Sequence, residues 1–236
     1  MLVIGHRGAA GLAPENTIES LRAGLDAGVD IIEIDIRLTK DNIPVVIHDA
    51  TTSRTHHTRI AVAHHTLAEL QSMSLSPAIP TLADVLDEFF GRVLLNIEIK
   101  SRGGSVAVVN LLRESYVHHT SDWDNVLLSS FRGRELIAAR RAEKHVPLAL
   151  LHDQNPFLFI AYHRWLTLSA VGFHRLYINQ LATAIARRVG LFCYAYTVDR
   201  PYGAYVLQQQ HIDAVVTNKP DIILHEITKR TASQAK

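Results

Sequence analysis

The octapeptide Ile31-Ile32-Glu33-Ile34-Asp35-Ile36-Arg37-Leu38 alternates strictly after Ile32. That period predicts a strand with Ile32, Ile34, Ile36 and Leu38 on one side and Glu33, Asp35 and Arg37 on the other. Two carboxylates on one face repel each other, and a hard divalent ion with oxygen ligands is the usual remedy. Asn96-Ile97-Glu98-Ile99-Lys100 repeats the period and adds a third carboxylate, together with an ammonium suited to a substrate anion. An internal ion-pair layer, in which Arg37 and Lys100 neutralise the acids, satisfies the same pattern, and periodicity does not separate the two readings. Two further groups stand near apolar runs. His6-Arg7-Gly8 offers proton transfer near neutral pH, a fork for phosphate or carboxylate, and close approach of backbone to ligand. His48-Asp49 supplies a second imidazole.

These groups can cooperate only if the fold gathers them. Eight apolar runs read as strands: Leu2 to Gly5, Asp30 to Leu38, Arg92 to Lys100, Val126 to Phe131, Pro147 to Leu151, Ser169 to Phe173, Leu191 to Val198 and Ala214 to Thr217. Helical patterns lie between them, such as Thr81 to Phe90, Arg134 to Glu143 and Pro220 to Thr228. In Asn16 to Ala27, Ile18, Leu21 and Leu25 share a face, Asn16 is the expected cap with Glu19 three residues on, and Gly28 follows the end. Eight βα units predict a (β/α)8 TIM barrel, since an open sheet of this size would leave edges and usually shows a glycine-rich first turn. A ninth run, Pro44 to His48, follows the second strand too closely for a parallel crossover, so it is expected to fold back as a hairpin arm. The expected organisation is a single domain over residues 1–236, with an insertion at about 44–80 between barrel strands 2 and 3. His6, Arg7, His48, the three acids and Lys100 then converge on the C-terminal mouth, where barrel active sites lie. Acid, base, metal site and phosphate clamp together suit phosphoester cleavage.

Composition removes other classes. Lys+Arg 24 against Asp+Glu 23 leaves a net charge of +1, so there is no global field to draw nucleic acid or an anionic membrane. A hydrophobic fraction of 47% excludes intrinsic disorder. The lone Cys193, within Leu191-Phe192-Cys193-Tyr194, reads as a small buried hydrophobe and implies no oxidising compartment. No membrane-length apolar run and no signal-peptide core occur, so a cytoplasmic protein without stable membrane association is expected. The adjacent pairs His56-His57, His64-His65 and His118-His119 diverge on any regular element and lack zinc spacing.

In order and spacing, several short motifs resemble the glycerophosphodiester phosphodiesterase family in its short bacterial form. They are His6-Arg7-Gly8, Pro14-Glu15-Asn16-Thr17, Glu33-Ile34-Asp35, Thr39-Lys40-Asp41, His48-Asp49, Asn96-Ile97-Glu98-Ile99-Lys100, Ser130-Phe131, Tyr196-Thr197-Val198-Asp199 and Thr217-Asn218-Lys219-Pro220. The resemblance implies a (β/α)8 enzyme cleaving glycerophosphodiesters, small-molecule substrates, to sn-glycerol 3-phosphate and an alcohol. It implies His6 as base, His48 as acid, and a divalent cation, Mg2+ first and Ca2+ or Mn2+ next, on Glu33, Asp35 and Glu98. Arg7 and Lys100 would contact the phosphate, with Phe131 and Tyr196 beside the substrate. The chain departs from the family pattern at Tyr196, Asp199 and Asn218, where Trp, Asn and Asp are usual; these positions bear on substrate fit. Lysophospholipase D or sphingomyelinase D activity, and a silent phosphodiester-binding barrel, are the rival readings. Against the lipid enzymes, the stretch from Thr51 to Arg59 is polar throughout, and Phe157 to Tyr162 is expected to be core.

Overall fold

The computed structural model describes residues 1–234. Eight parallel strands close into a ring: β1 (Leu2–Gly5), β2 (Ile31–Leu38), β4 (Leu94–Ile99), β5 (Val126–Ser130), β6 (Leu148–His152), β7 (Ala170–His174), β8 (Phe192–Tyr196) and β9 (Ala214–Thr217). Closure is made by the pairing of β1 with both β9 and β2. Helices follow the strands as expected for a (β/α)8 barrel: α1 (Ile18–Ala27), α4 (Leu82–Phe89), α5 (Gly104–Ser115), α6 (Gly133–Ala142), α7 (Leu158–Leu166), α8 (Gln180–Arg188), α9 (Pro201–Gln209) and α10 (Pro220–Gln234).

Alternation along the strands separates two cores. Ile32, Ile34 and Ile36 belong to the large apolar layer under the helices, while Ile4, Ile31, Leu127, Ala149, Ala170, Tyr194 and Ala214 fill the interior. The inward side chains change from apolar at the N-terminal end to Glu33, Asp35, Asn96 and Glu98 higher up, so the barrel has a greasy floor and a charged mouth. Gly172 is needed for that filling, because a Cβ there would stand 2.4 Å from Leu151 and 2.9 Å from the Tyr194 ring. Buried Cys193 lies in the outer layer, as its apolar surroundings predict.

The ninth strand is the expected hairpin arm. β1 pairs with β2 only at Ile31 and Ile32, and β3 (Pro44–Val46) takes the same edge higher up, antiparallel, at Ile36, Arg37 and Leu38. The excursion that follows holds two short helices, α2 (Ser53–His56) and α3 (Leu67–Ser72). Val45, Ile47, Val62 and Leu70, with Ile60 and Leu67 against them, form a small core of their own.

Two expectations need correction. Thr17, not Asn16, caps α1, its hydroxyl accepting from Ser20 N at 3.1 Å; Asn16 has a left-handed backbone (φ 57°) and turns its amide elsewhere. The Phe157 to Tyr162 run is only half core: Phe159 is buried and Phe157 and Tyr162 pack on the core, but Leu158 and Ile160 face solvent.

One buried group sits in this layer with no compensating partner. Both ring nitrogens of His152 lack hydrogen bonds, and the ring lies edge-on to Phe173 with centroids 4.9 Å apart. Burial pushes its pKa down to about 4, against the opposing pull of Asp153. The unfolded chain therefore binds a proton near pH 6.5 that the folded ring refuses until about pH 4, and stability falls with acidification across that window. Denaturant unfolding of His152→Leu at a series of pH values should show this loss, up to about 3 kcal/mol, removed from the wild-type profile. An unchanged acid limb would contradict the assignment.

Candidate active site

The mouth is organised around β2 and β4, whose register sets Glu33 beside Asn96 and Asp35 beside Glu98. Ligand oxygens of Glu33, Asp35 and Glu98 all lie within 4.8 Å of one another, and all three residues are buried. Lys100 Nζ reaches Glu98 Oε1 at 2.5 Å and Asp35 Oδ1 at 3.2 Å, while Arg7 Nε stands 3.3 Å from Asp35 Oδ2. Asn16 completes the shell of Asp35: its Nδ2 donates to Oδ2 at 2.9 Å, and its Oδ1 accepts from the Asp35 backbone N at 3.2 Å.

The three acids are not equivalent. Burial opposes the charge on Asp35, but Lys100 and Arg7 outweigh it and hold that carboxyl below its ordinary range. Burial together with the neighbouring Asp35 pushes Glu98 up to about 7. Glu33 is driven well up by burial, then by Asp35 and Glu98. It accepts from the Arg7 backbone N at 2.8 Å through Oε2, and its buried Oε1 has no hydrogen-bond partner. Two cations thus face three acids, and a buried oxygen of Glu33 has no hydrogen-bond partner. An all-oxygen donor set with surplus negative charge fits a hard divalent cation, because a buried charge persists only when paired.

His6 leaves the barrel top directly after β1, its backbone N donating to Thr217 O at 2.9 Å. The turn behind it is tight. Gly8 (φ 87°) could not carry a Cβ, which would lie 2.5 Å from Ser20 C, and Ser20 Oγ donates to Arg7 O at 2.8 Å and accepts from Ala9 N at 2.8 Å. Burial, and then Arg7, lower the His6 pKa below the usual imidazole range. A cavity of about 40 Å³ opens here, lined by His6, Glu33, Asn96, Glu98, Phe131, Leu151, Tyr194, Tyr196 and Val216. Phe131 and Tyr196 pack edge to face at 5.8 Å, and Lys100 Nζ sits 5.6 Å from the Phe131 ring centre. The Tyr196 hydroxyl donates to His152 O at 2.8 Å, which ties it to β6.

The hairpin arm delivers His48. Arg37 Nε donates to His48 O at 2.7 Å and Ile47 N to Asp35 O at 2.9 Å, so β2 itself holds the arm. Asp49 Oδ1 lies 2.7 Å from His48 Nδ1. His48 borders a second cavity of about 220 Å³ with Glu15 and Asn16, near enough to Asp35 for its charge to help lower that carboxyl.

Residues 6–222 match the family model described as the glycerophosphoryl diester phosphodiesterase family. The chain belongs to this family. A glycerophosphodiester phosphodiesterase of Caldanaerobacter subterraneus is 28% identical, over 97% of this chain and 98% of its own. YhdW of Bacillus subtilis is 30% identical over 96% and 98%. Among solved structures, an Oleispira antarctica phosphodiesterase in complex with the product sn-glycerol-3-phosphate superposes with a TM-score of 0.85 at 26% identity, covering 97% of both chains. The likeness to these phosphodiesterases makes this chain an enzyme of the same type.

Among the residues singled out from sequence, His6, Glu33, Glu98, Phe131 and Tyr196 meet around one cavity, and Asp35, Arg7 and Lys100 join them through ion pairs. His48 lies outside that cavity and lines the second one with Glu15 and Asn16. The histidine pairs of the excursion stay out of this cavity; His56 Nε2 lies 2.8 Å from Pro77 O and His65 Nδ1 lies 2.9 Å from Ala61 O. Sequence reasoning missed Arg54. Its two terminal nitrogens donate to both Glu15 oxygens at 2.6 Å, and its Nε donates to Asp49 Oδ2 at 2.7 Å. Glu15 in turn accepts from Arg7 at 2.7 Å, so one arginine ties the partner of His48 to the partner of Arg7. Nothing in the spacing of a polar loop announces such a bridge. Arg54→Ala should lower phosphodiester turnover about ten- to a hundredfold by loosening both groups. Its melting temperature should hardly move, because a half-exposed ion pair adds little stability. Steady-state kinetics beside thermal denaturation check both parts, and wild-type turnover would rule the bridge out as a positioning element.

Proposed function

We propose that this protein hydrolyses water-soluble glycerophosphodiesters to sn-glycerol 3-phosphate and an alcohol, using a divalent cation on Glu33, Asp35 and Glu98, with residues 1–236 acting as one catalytic domain. The observation that supports this reading is the buried acid cluster that shares a cavity with His6 and is paired with Arg7 and Lys100. Mg2+ is the first choice for an oxygen-only site, with Ca2+ and Mn2+ next. When bound, such an ion would draw charge from the phosphoryl oxygens.

The remaining chemistry belongs to side chains. Arg7 and Lys100 hold the phosphate, and both are kept charged by the acids around them, which outweigh the cost of burial. His6 is the base: burial and Arg7 keep its ring neutral near pH 7, so it can take a proton from a glycerol hydroxyl or a water. His48 is the acid, protonating the leaving alcohol, with the Asp49 carboxylate at its Nδ1 orienting the ring. Phe131 and Tyr196 offer ring surface to the carbon skeleton of the substrate, and the anchored Tyr196 hydroxyl keeps that face apolar. The polar excursion favours a soluble substrate over a lysolipid. No helix among the described residues is long and apolar enough to cross a membrane.

Enzyme-coupled detection of glycerol 3-phosphate from a panel of deacylated phospholipids tests the reaction. Activity should vanish on exhaustive chelation and return with Mg2+, Mn2+ or Ca2+, and kcat/KM should be much higher for the soluble diesters than for sub-micellar lysophosphatidylcholine. Full turnover by chelated protein would sink the metal site, and a preference for the lysolipid would sink the substrate class. His6→Ala and His48→Ala should each lose about 10²- to 10⁴-fold in kcat with the fold retained, and the two losses should not add. Near-normal turnover of His48→Ala would remove the hairpin arm from the reaction.

A further inference from the structure

Asp199 and Asn218 lie against each other, and Asn218 lies against His6. Asp199 accepts three hydrogen bonds. Its Oδ1 takes the Asn218 backbone N–H at 2.8 Å and the Thr217 hydroxyl at 3.1 Å, and its Oδ2 takes Asn218 Nδ2 at 2.8 Å. These donors, Asn218 foremost, outweigh the cost of burial and keep Asp199 ionised below the usual carboxylate range. An ionised carboxylate cannot donate, so the end of the Asn218 amide that faces it must be the NH2. The amide oxygen is then turned the other way, and it stands 2.7 Å from His6 Nδ1. That oxygen cannot donate either, so Nδ1 has to carry the hydrogen. The backbone holds the arrangement from both sides: His6 N donates to Thr217 O at 2.9 Å, and Gly11 N donates to Asn218 O at 2.8 Å.

We infer that Asn218, locked in one orientation by Asp199, is a positioning residue that holds His6 as the Nδ1–H tautomer and leaves the Nε2 lone pair free at the mouth. The inference rests on the reading of His6 as the base and adds to it the residues that make the ring a base at a defined atom. The full negative charge of Asp199 lies beyond the Asn218 amide, so His6 meets a dipole at Nδ1. A tautomer fixed this way does not depend on an anion in contact with the imidazole, which would favour the protonated ring.

The tautomer is read directly from the ¹⁵N and ¹H shifts of the His6 ring in Mg2+-loaded, histidine-labelled protein, independently of turnover. Wild type should show a single Nδ1–H form. In Asp199→Asn the oxygen of the new amide stays on the Asn218 backbone N–H and the Thr217 hydroxyl, its NH2 faces the Asn218 side chain, Asn218 turns over, and the spectrum should show the Nε2–H tautomer, alone or beside the Nδ1–H form. Its kcat should fall about ten- to a hundredfold with KM nearly unchanged. The exchange variant Asp199→Asn/Asn218→Asp restores a carboxylate acceptor at Nδ1, and should recover the single tautomer and most of kcat. Asn218→Ala, which leaves Asp199 bonded to Thr217 and the backbone, should mix the tautomers as well and serves if Asp199→Asn does not fold. A single Nδ1–H form in folded Asp199→Asn or Asn218→Ala overturns the proposal, as does an exchange variant with mixed tautomers. Undiminished turnover in His6→Ala would instead remove His6 as the base, while the spectra still decide what holds its ring.

Discussion

Three carboxylates buried at one end of a closed barrel can remain together only if positive charge or hydrogen-bond donors reach them, and much of the structure above the strands meets that requirement. Asp35 is the most heavily supported, with Lys100, Arg7 and Asn16 converging on its two oxygens. Glu98 has Lys100, and Glu33 has a single backbone N–H. The support decreases from Asp35 to Glu33; the carboxyl of Asp35 is held below its ordinary range, while those of Glu98 and Glu33 are raised. An internal ion-pair layer alone would not leave Glu33 Oε1 buried with neither a hydrogen bond nor a cation. Arg37, which could have completed such a layer, instead donates to the His48 carbonyl.

The two histidines are held in opposite ways. His6 is set in the barrel rim, packed down by the loop behind it and bonded to a neutral amide. His48 hangs on an antiparallel arm and is bonded to a carboxylate. The proposed division of base and acid between them rests on this difference in surroundings. The arm can exist because β1 is short: it leaves the upper edge of β2 unpaired, and β3 occupies it.

Arg54 shows how a surface loop can share in the geometry of a buried site. Its guanidinium bridges Glu15 and Asp49, each already committed to a group at the mouth. The planar fork of arginine can meet two carboxylates at once, which a lysine cannot reproduce. The excursion carries Arg54 to that place on a small apolar core built from Val45, Ile47, Val62 and Leu70, so its path is set by packing separate from the barrel's own.

Much of this molecule was legible before any coordinates. Strict alternation in 31–38 and 96–100 turned the acids and Lys100 inward, because a strand has a period of two and only the inner face of the barrel had room for them. The short spacing before Pro44 required an antiparallel arm, and the observed strands match the apolar runs to within two residues at either end. Asn16 was misread because a polar residue at the start of a helix looks like a cap, and only the left-handed backbone beside β2 sends its amide to Asp35. The contacts of Arg54 with Glu15, and of Asn218 with His6, join residues 39 and 212 positions apart. No period or local spacing encodes such pairs. Strand order and register bring their loops together, and the direction of each hydrogen bond is decided there by which atoms can donate and which can only accept.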